Sequence, residues 1–447
     1  MSTERRVVKP RLIAGGAILV VASVLFDTLR GQELSFGLLQ TLMVGAGLAA
    51  VAFGALGSRI PEAWRAVAVL LLNVLLLFML VNLAARAVLR RIPPSRYAGS
   101  VTLPWYAAQP WIVAYRSDFP RVNDLYSWGR WVMWQGTPFR GQMINVDSIG
   151  RRRTPGDDCA GDAFVIWALG GSTMWGVGSP DSLTIPALLK ASLDRRYNRV
   201  VCVVNLGERA YNSSQELLRL QGELREGRRP QLVVAYDGLN DVTYAMRSGD
   251  AGSFQDEATV AQRIFRRAPG VDWMNTFAVV QLAREARRRS LGLDTLLAFQ
   301  ARRLNADSLA RATAAVYAAN HRIIAALGDG FHFETLFFLQ PMIAVGSKQL
   351  SAEETSSFGA MPAAQKDFYR KAFDAMYATV KENPKDGPTP TLVDLRGVLD
   401  GEPRALYIDW FHLSPIGNAI VAERIATSIE SSASFQNFLR VQRSTTR

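Results

Sequence analysis

The run Ala163-Phe164-Val165-Ile166-Trp167-Ala168-Leu169, closed by Gly170-Gly171-Ser172-Thr173, carries the fold class of the larger part of this 447-residue chain. Seven mostly apolar residues ended by two glycines are too few for an ordinary helix and read as a buried strand running into a tight turn. Comparable runs recur at 200–205, 232–236, 335–339 and 391–395, separated by amphipathic helical stretches at 182–195, 214–224 and 366–380. A last helix is announced by Ser414 as cap, Pro415 in its first turn and an apolar face of Ile420, Ala422, Ile425, Ala426 and Ile429. This alternation predicts a parallel sheet covered by helices. Ser172 then stands at the carboxyl end of the first strand, where open parallel sheets hold their ligands, although Gly-Gly-Ser taken alone is an ordinary turn composition.

Near the other end, Asp409-Trp410-Phe411-His412 runs directly into Leu413-Ser414-Pro415. A carboxylate three residues before an imidazole can share one face of a turn with it and hold it in the tautomer that accepts a serine proton. The chain has three histidines; His321, in a predicted helix, and His332, at a strand edge, lack such company and read as structural or surface residues. A third segment, Asp237-Gly238-Leu239-Asn240-Asp241, ends the third strand on the edge expected for Ser172. Its Asn240 amide can donate to an oxygen that turns negative during attack on an ester, while Asp237 and Asp241 read as turn-forming or solvated carboxylates. Histidines and carboxylates do not otherwise cluster at ligand spacing, so neither a metal nor a cofactor is expected.

In this order the segments resemble the blocks of the SGNH/GDSL hydrolase superfamily: Gly170-Gly171-Ser172-Thr173, Gly238-Leu239-Asn240-Asp241, and Asp409 to His412. The Gly-Ser-Thr form is similar to membrane-anchored bacterial members, as is the lead-in Asn145-Val146-Asp147, and the resemblance covers roughly residues 160–432. The second block departs from the pattern. Aligning Asn205 to Ser213 puts Ala210 where the family has its oxyanion glycine, with Gly207 three residues earlier as the other candidate. Alanine keeps the backbone N–H that an oxyanion hole uses, so the reaction survives unless the backbone needs a conformation alanine resists. The resemblance implies a three-layer α/β/α flavodoxin-like fold, with Ser172 as nucleophile, His412 as general base and Asp409 orienting it. It also implies an oxyanion hole of Asn240 with the N–H groups of Ser172 and Ala210. The expected activity is hydrolysis of acyl esters, O-acetyl groups on a cell-envelope polysaccharide foremost. An O-acyltransferase of the same fold and a catalytically silent envelope component stand as alternatives.

Before residue 90 the sequence holds three apolar stretches, 12–29, 36–56 and 66–85, each about long enough to span a bilayer as a helix. Asp27 shortens the first, and no small-residue cleavage site follows it to mark a secretory signal. Arg5, Arg6, Lys9, Arg11, Arg59 and Arg65 suit the cytoplasmic side, which sends everything after the third stretch outside the inner (cytoplasmic) membrane. Arg86, Arg90, Arg91 and Arg96 oppose that orientation, but long domains translocate despite such charge. The expected division is 1–92 membrane region, 93–160 linker and aromatic-rich lead-in, 161–432 hydrolase-like domain and 433–447 tail. The lead-in, with Trp105, Trp111, Trp128, Trp131 and Trp134, is expected to pack on the main domain, with a carbohydrate-stacking surface as the alternative. The connection from 241 to 333 exceeds any minimal crossover and is expected to hold several helices. Net charge +12 suits anionic lipid or a polyanionic glycan; without a recognition motif it does not indicate nucleic acid. Cys159 and Cys202 exclude a disulfide-rich scaffold and leave open one disulfide or two thiols.

Overall fold

A computed structural model describes residues 9–28, 38–56, 61–91, 104–123, 125–157, 159, 161–197, 201–255, 257, 277–290, 305–358, 361–382 and 390–445. The chain divides into two units, residues 1–93 with 263–294, and residues 94–262 with 295–447.

The first unit contains helices α1 (Pro10–Thr28), α2 (Leu38–Leu56) and α3 (Glu62–Arg91). Alpha1 and α2 approach so closely that a Cβ on Gly16 would lie 2.5 Å from the Gly47 carbonyl, and one on Gly47 2.6 Å from that of Gly16. Small residues permit such contact between apolar helices. Among the described residues one helical stretch, Ala66–Leu89, is long and apolar enough to cross a membrane; the apolar parts of α1 and α2, Pro10–Ser23 and Met43–Ala55, are shorter. The 241–333 connection contributes the helix Ala278–Ser290 to this unit. It docks on α3 through an edge contact of Phe277 with Phe78 at 4.9 Å and a bond from the Val279 N–H to the buried Asn82 Oδ1 at 3.1 Å. The domain expected as one block from 161 to 432 is therefore interrupted by a segment that belongs with the apolar helices.

The second unit begins with a lead-in of helix α4 (Ile112–Asn123) and the hairpin β1 (Tyr126–Gly129) and β2 (Met133–Gly136), paired antiparallel. Tyr106, Ile112, Tyr115 and Phe119 form a small core with Trp175, Val177 and Ile408, so the lead-in packs on the main domain as expected. There follow β3 (Phe164–Gly170), α5 (Ser172–Trp175), α6 (Ile185–Tyr197), β4 (Val201–Asn205), α7 (Ser213–Arg225), β5 (Leu232–Asp237) and α8 (Leu239–Ser248). The chain closes with α9 (Ala306–Phe331), β6 (Glu334–Leu339), α10 (Ala363–Lys381), β7 (Leu392–Asp394), α11 (Pro415–Glu430) and α12 (Ala433–Thr445).

The five strands pair in the order β4-β3-β5-β6-β7, all parallel. Period-two alternation loads both faces: Trp167, Val233 and Phe337 pack under α7 to α10, and Ile166, Val234 and Phe338 under α6 and α11. The result is a three-layer α/β/α domain. The residues expected as a tail form α12, whose Phe435 is fully buried 5.1 Å from Phe164 and closes the second core. Cys159 and Cys202 form a disulfide, with Cα atoms 5.1 Å apart.

Candidate active site

Strand order reverses between β3 and β5, and parallel sheets of this order open a crevice beyond the strand ends at that point. Ser172 follows β3 and Asn240 follows β5, so both candidates lie at this switch point. Ser172 begins the four-residue α5 and is partly open to solvent while Gly171 and Thr173 on either side are buried.

His412 comes from a tight loop closed by Ile408 N–H to His412 O at 2.9 Å and Ser414 N–H to Leu406 O at 2.7 Å. Within it, Asp409 Oδ1 accepts the backbone N–H groups of Phe411 and His412 at 2.9 and 2.7 Å, which aims its second oxygen at the ring. His412 Nδ1 lies 2.6 Å from Asp409 Oδ2, and Nε2 lies 2.8 Å from Ser172 Oγ. Against a carboxylate Nδ1 must carry the proton, which leaves the Nε2 lone pair facing the serine hydroxyl. Burial pushes the Asp409 carboxyl up, but the adjacent imidazole and the hydrogen bonds outweigh it and hold the group below the usual carboxylate range.

The Asn240 amide lies against Gly171, where a Cβ would come 2.5 Å from Nδ2. One of its N–H groups donates to Tyr211 O at 2.7 Å, which binds the start of α8 to the turn after β4. Ala210, in that turn, is left-handed at φ 67, a conformation costing an L-residue roughly 1–2 kcal/mol. Among the described residues neither the Ala210 nor the Ser172 backbone N–H has a hydrogen-bond acceptor. Gly207 does not share this position: its N–H donates to Asn205 Oδ1 at 3.0 Å, which removes it from the available oxyanion donors.

Two further side chains brace the serine turn and were not among the expected site residues. Asn205 donates to Met174 O at 3.2 Å and, more distantly, to Trp175 O. Arg152, almost fully buried, donates to the carbonyls of Trp175, Gly176 and Ser179 and pairs with Asp181 at 3.0 Å. An asparagine at a strand end was a legible signal for the first; nothing local marked Arg152.

Asp237 and Asp241 are buried, contrary to their reading as solvated turn carboxylates. Asp241 accepts Ser213 Oγ at 2.5 Å and the Ser213 N–H, and Asp237 accepts Tyr317 Oη at 2.6 Å. His321 also has a partner, with Nε2 3.1 Å from Asp237 Oδ2, so it is a core residue of this network. His332 caps the end of α9 in a left-handed conformation. Burial, then the charges of Asp237 and Asp241, push the nearby Glu216 carboxyl well above its ordinary range. Burial and the Asp237 charge likewise raise Asp241 to about 7, even though the Ser213 bonds pull it down.

In backbone shape the chain is similar to several solved proteins. An α/β hydrolase enzyme from the metagenome of Lake Arreo, Spain, aligns over 60% of this chain and 96% of its own, at 17% identity and a TM-score of 0.33. An acetyl xylan esterase aligns over 59% and 98%, at 14% identity and a TM-score of 0.34. A member of the lipolytic protein G-D-S-L family from Veillonella parvula aligns over 60% and 100%, at 11% identity and a TM-score of 0.32. No protein-family model matches the chain, and no curated protein matches it in sequence.

Proposed function

We propose that the protein is a membrane-anchored serine esterase that cleaves acyl esters, O-acetyl groups on cell-envelope glycans foremost, through an acyl-enzyme. One observation carries this reading: the unbroken line Ser172 Oγ, His412 Nε2, His412 Nδ1, Asp409 Oδ2, with spacings of 2.8 and 2.6 Å, at the switch point of the sheet. Ser172 Oγ attacks the ester carbonyl carbon as its proton passes to His412 Nε2. The carbonyl oxygen becomes an oxyanion, held by the second Asn240 N–H and the backbone N–H groups of Ser172 and Ala210. Collapse breaks the bond to the leaving alcohol, which takes the proton from His412, and water activated by the same imidazole then releases the acid. Asp409 stays ionised throughout and stabilises the imidazolium. A sugar hydroxyl in place of that water makes the enzyme an acyltransferase by the same steps.

Anchoring is supported by Ala66–Leu89, and placement outside the cytoplasm by the Cys159–Cys202 disulfide, a bond that persists in oxidising compartments. The decisive test treats the full-length protein in detergent with a fluorescent serine-directed phosphonate. Labelling of wild type that is lost in Ser172→Ala and His412→Ala is the expected result. A folded wild type that takes no label overturns the assignment and favours a silent envelope component. Product analysis with a sugar acceptor separates transfer from hydrolysis, and a reporter at the C-terminus reads the topology.

A further inference from the structure

The hairpin β1–β2 is too short to be stable alone, since isolated two-stranded hairpins are marginal in water. It is stitched to the turn that carries Ala210. Trp134 Nε1 donates to Arg209 O at 3.0 Å and Tyr211 Oη to Trp134 O at 2.5 Å. The Gly136 N–H donates to Glu208 Oε2 at 2.7 Å, and Gln215 Nε2 to Val132 O at 2.8 Å. Thus three of the four residues from Glu208 to Tyr211, on either side of Ala210, hold one face and edge of the hairpin.

That face is aromatic. Trp128 pairs directly with Trp134 and Tyr126 with Gly136, and directly paired residues project to the same side of an antiparallel ladder. Trp134 packs on Tyr211 and Phe254, and the Arg209 guanidinium lies 4.3 Å from the Tyr126 ring centre. Trp128 continues this side outward and is 68% exposed, while Trp131 at the hairpin tip is 65% exposed. Trp131 and Met133 both hold positive φ, at 72 and 75, an outlier for bulky residues that a fold keeps only when its surroundings impose it. Two large indoles are thereby kept in water on a rigid support instead of in the adjoining core, where Tyr115 and Trp175 are already buried. From Trp134 to Trp131 is three residues of chain, roughly 10 Å at most. A ligand lying on the indoles therefore reaches the Ala210 turn within a few sugar units.

We infer that Trp128 and Trp131 form an oligosaccharide-binding platform that continues the active site along the hairpin, holding the glycan whose acyl ester is presented to Ser172. Pyranose rings offer flat faces of C–H groups that stack on indole, and the exposed Arg130 between the two tryptophans adds donors for hydroxyl or carboxylate groups. An extended chain of rings fits a strip of separated aromatic surfaces, whereas a compact acyl ester would use only the crevice at Ser172. This inference rests on the esterase reading above, and its test keeps the two apart.

The test uses full-length protein in detergent, with p-nitrophenyl acetate and a size series of partially O-acetylated xylo- and cello-oligosaccharides from one to six units. In wild type kcat/KM is expected to rise with chain length. In Trp128→Ala and Trp131→Ala that gain falls by roughly three- to ten-fold for each indole, while p-nitrophenyl acetate turnover stays within two-fold of wild type. Both residues are exposed, and unchanged small-ester turnover certifies folding. If p-nitrophenyl acetate is cleaved but chain length brings no gain, or the gain persists in both variants, the platform is overturned and the esterase survives. If wild type cleaves neither class, the esterase reading falls. Brominated-lipid quenching of these indoles in reconstituted vesicles, absent from the Trp128→Ala/Trp131→Ala double variant, would place the hairpin in a bilayer and also overturn the platform.

Discussion

Replacing Gly171 by alanine tests the oxyanion geometry with a single methyl group. Gly171 has φ −83 and ψ −151, extended backbone that alanine adopts freely, so any effect must come from the added carbon. That carbon would sit 2.5 Å from Asn240 Nδ2 and 3.1 Å from Tyr211 O. Reaching ordinary contact at 3.4 Å requires the amide to retreat by about 0.9 Å. It has little room, because its 2.7 Å bond to Tyr211 O and the Asp241–Ser213 bonds one residue on fix the start of α8. Yielding there forfeits the amide as an oxyanion donor, a loss worth roughly 10²- to 10³-fold in kcat, while the Ser172–His412–Asp409 line is untouched. Stability should fall by only about 1–3 kcal/mol, the usual range for an overpacked site. The assay is steady-state hydrolysis of a short-chain chromogenic ester by Gly171→Ala, Asn240→Ala and the double variant. Gly171→Ala should lower kcat with KM little changed, and the double variant should be no slower than Asn240→Ala alone. Losses that multiply in the double variant would refute the reasoning, since the methyl would then act on something other than the Asn240 amide.

Three other perturbations follow from the same region. Asp241, raised to about 7 in the fold against about 3.9 unfolded, favours its protonated form when folded, so the stability it confers is full below pH 4 and is lost as pH rises to 7. Asp241→Asn should therefore gain stability relative to wild type between pH 4 and 7 and hold a constant difference above, as read by urea unfolding at each pH. Ala210→Gly relieves a left-handed backbone worth roughly 1–2 kcal/mol against a glycine entropy cost of about 0.5–1 kcal/mol. The variant should melt about 2 °C higher, with kcat on small esters unchanged because the N–H is kept. Replacing both Cys159 and Cys202 by alanine opens a loop of 43 residues, which in the chain-entropy account costs about 4 kcal/mol. Denaturant midpoints should drop accordingly, and reductant should produce the same drop in wild type and none in the variant.

The sheet was legible because its signals are local. Each strand lies within two residues of an apolar run, and the runs end on glycine or a polar turn. Ser172, Asp409 and His412 were legible for the same reason, since a strand-end serine and an Asp-x-x-His turn before a capped helix are written in a few neighbouring residues. What escaped was non-local. Asp237 and Asp241 sit in a local turn composition, but their partners Tyr317, His321 and Ser213 stand 80, 84 and 28 residues away. Arg152 is defined by carbonyls 23 to 27 residues further on, and no periodicity marks a side chain that serves the backbone of another loop. The 241–333 connection was expected to be helical, yet its return to the apolar helices depends on Phe78 and Asn82, nearly 200 residues earlier. The positive φ of Ala210 was the condition on which alanine at that place was in question, and only backbone geometry reveals it.

The unfavourable features of this domain are concentrated, and their location has a reason. Ala210 is held left-handed and Asp241 is buried with a raised carboxyl pKa, both at the contact between the turn after β4 and the start of α8, and the raised Glu216 carboxyl lies nearby in α7. Ordinary ladder hydrogen bonds cannot join these segments, because both lie beyond the ends of their strands. Two side-chain bonds do so instead, Asn240 to Tyr211 O and Ser213 to Asp241, and the Asp237 carboxylate beneath is held by Tyr317 Oη and His321 Nε2. A turn held this way fixes the Asn240 amide and the Ala210 N–H, the proposed oxyanion donors, relative to Ser172 before any substrate arrives. Catalysis by preorganised dipoles requires that donors need no rearrangement when charge develops. In the proposed esterase, stability forgone beneath the crevice is therefore what keeps the Asn240 amide and the Ala210 N–H in place above it.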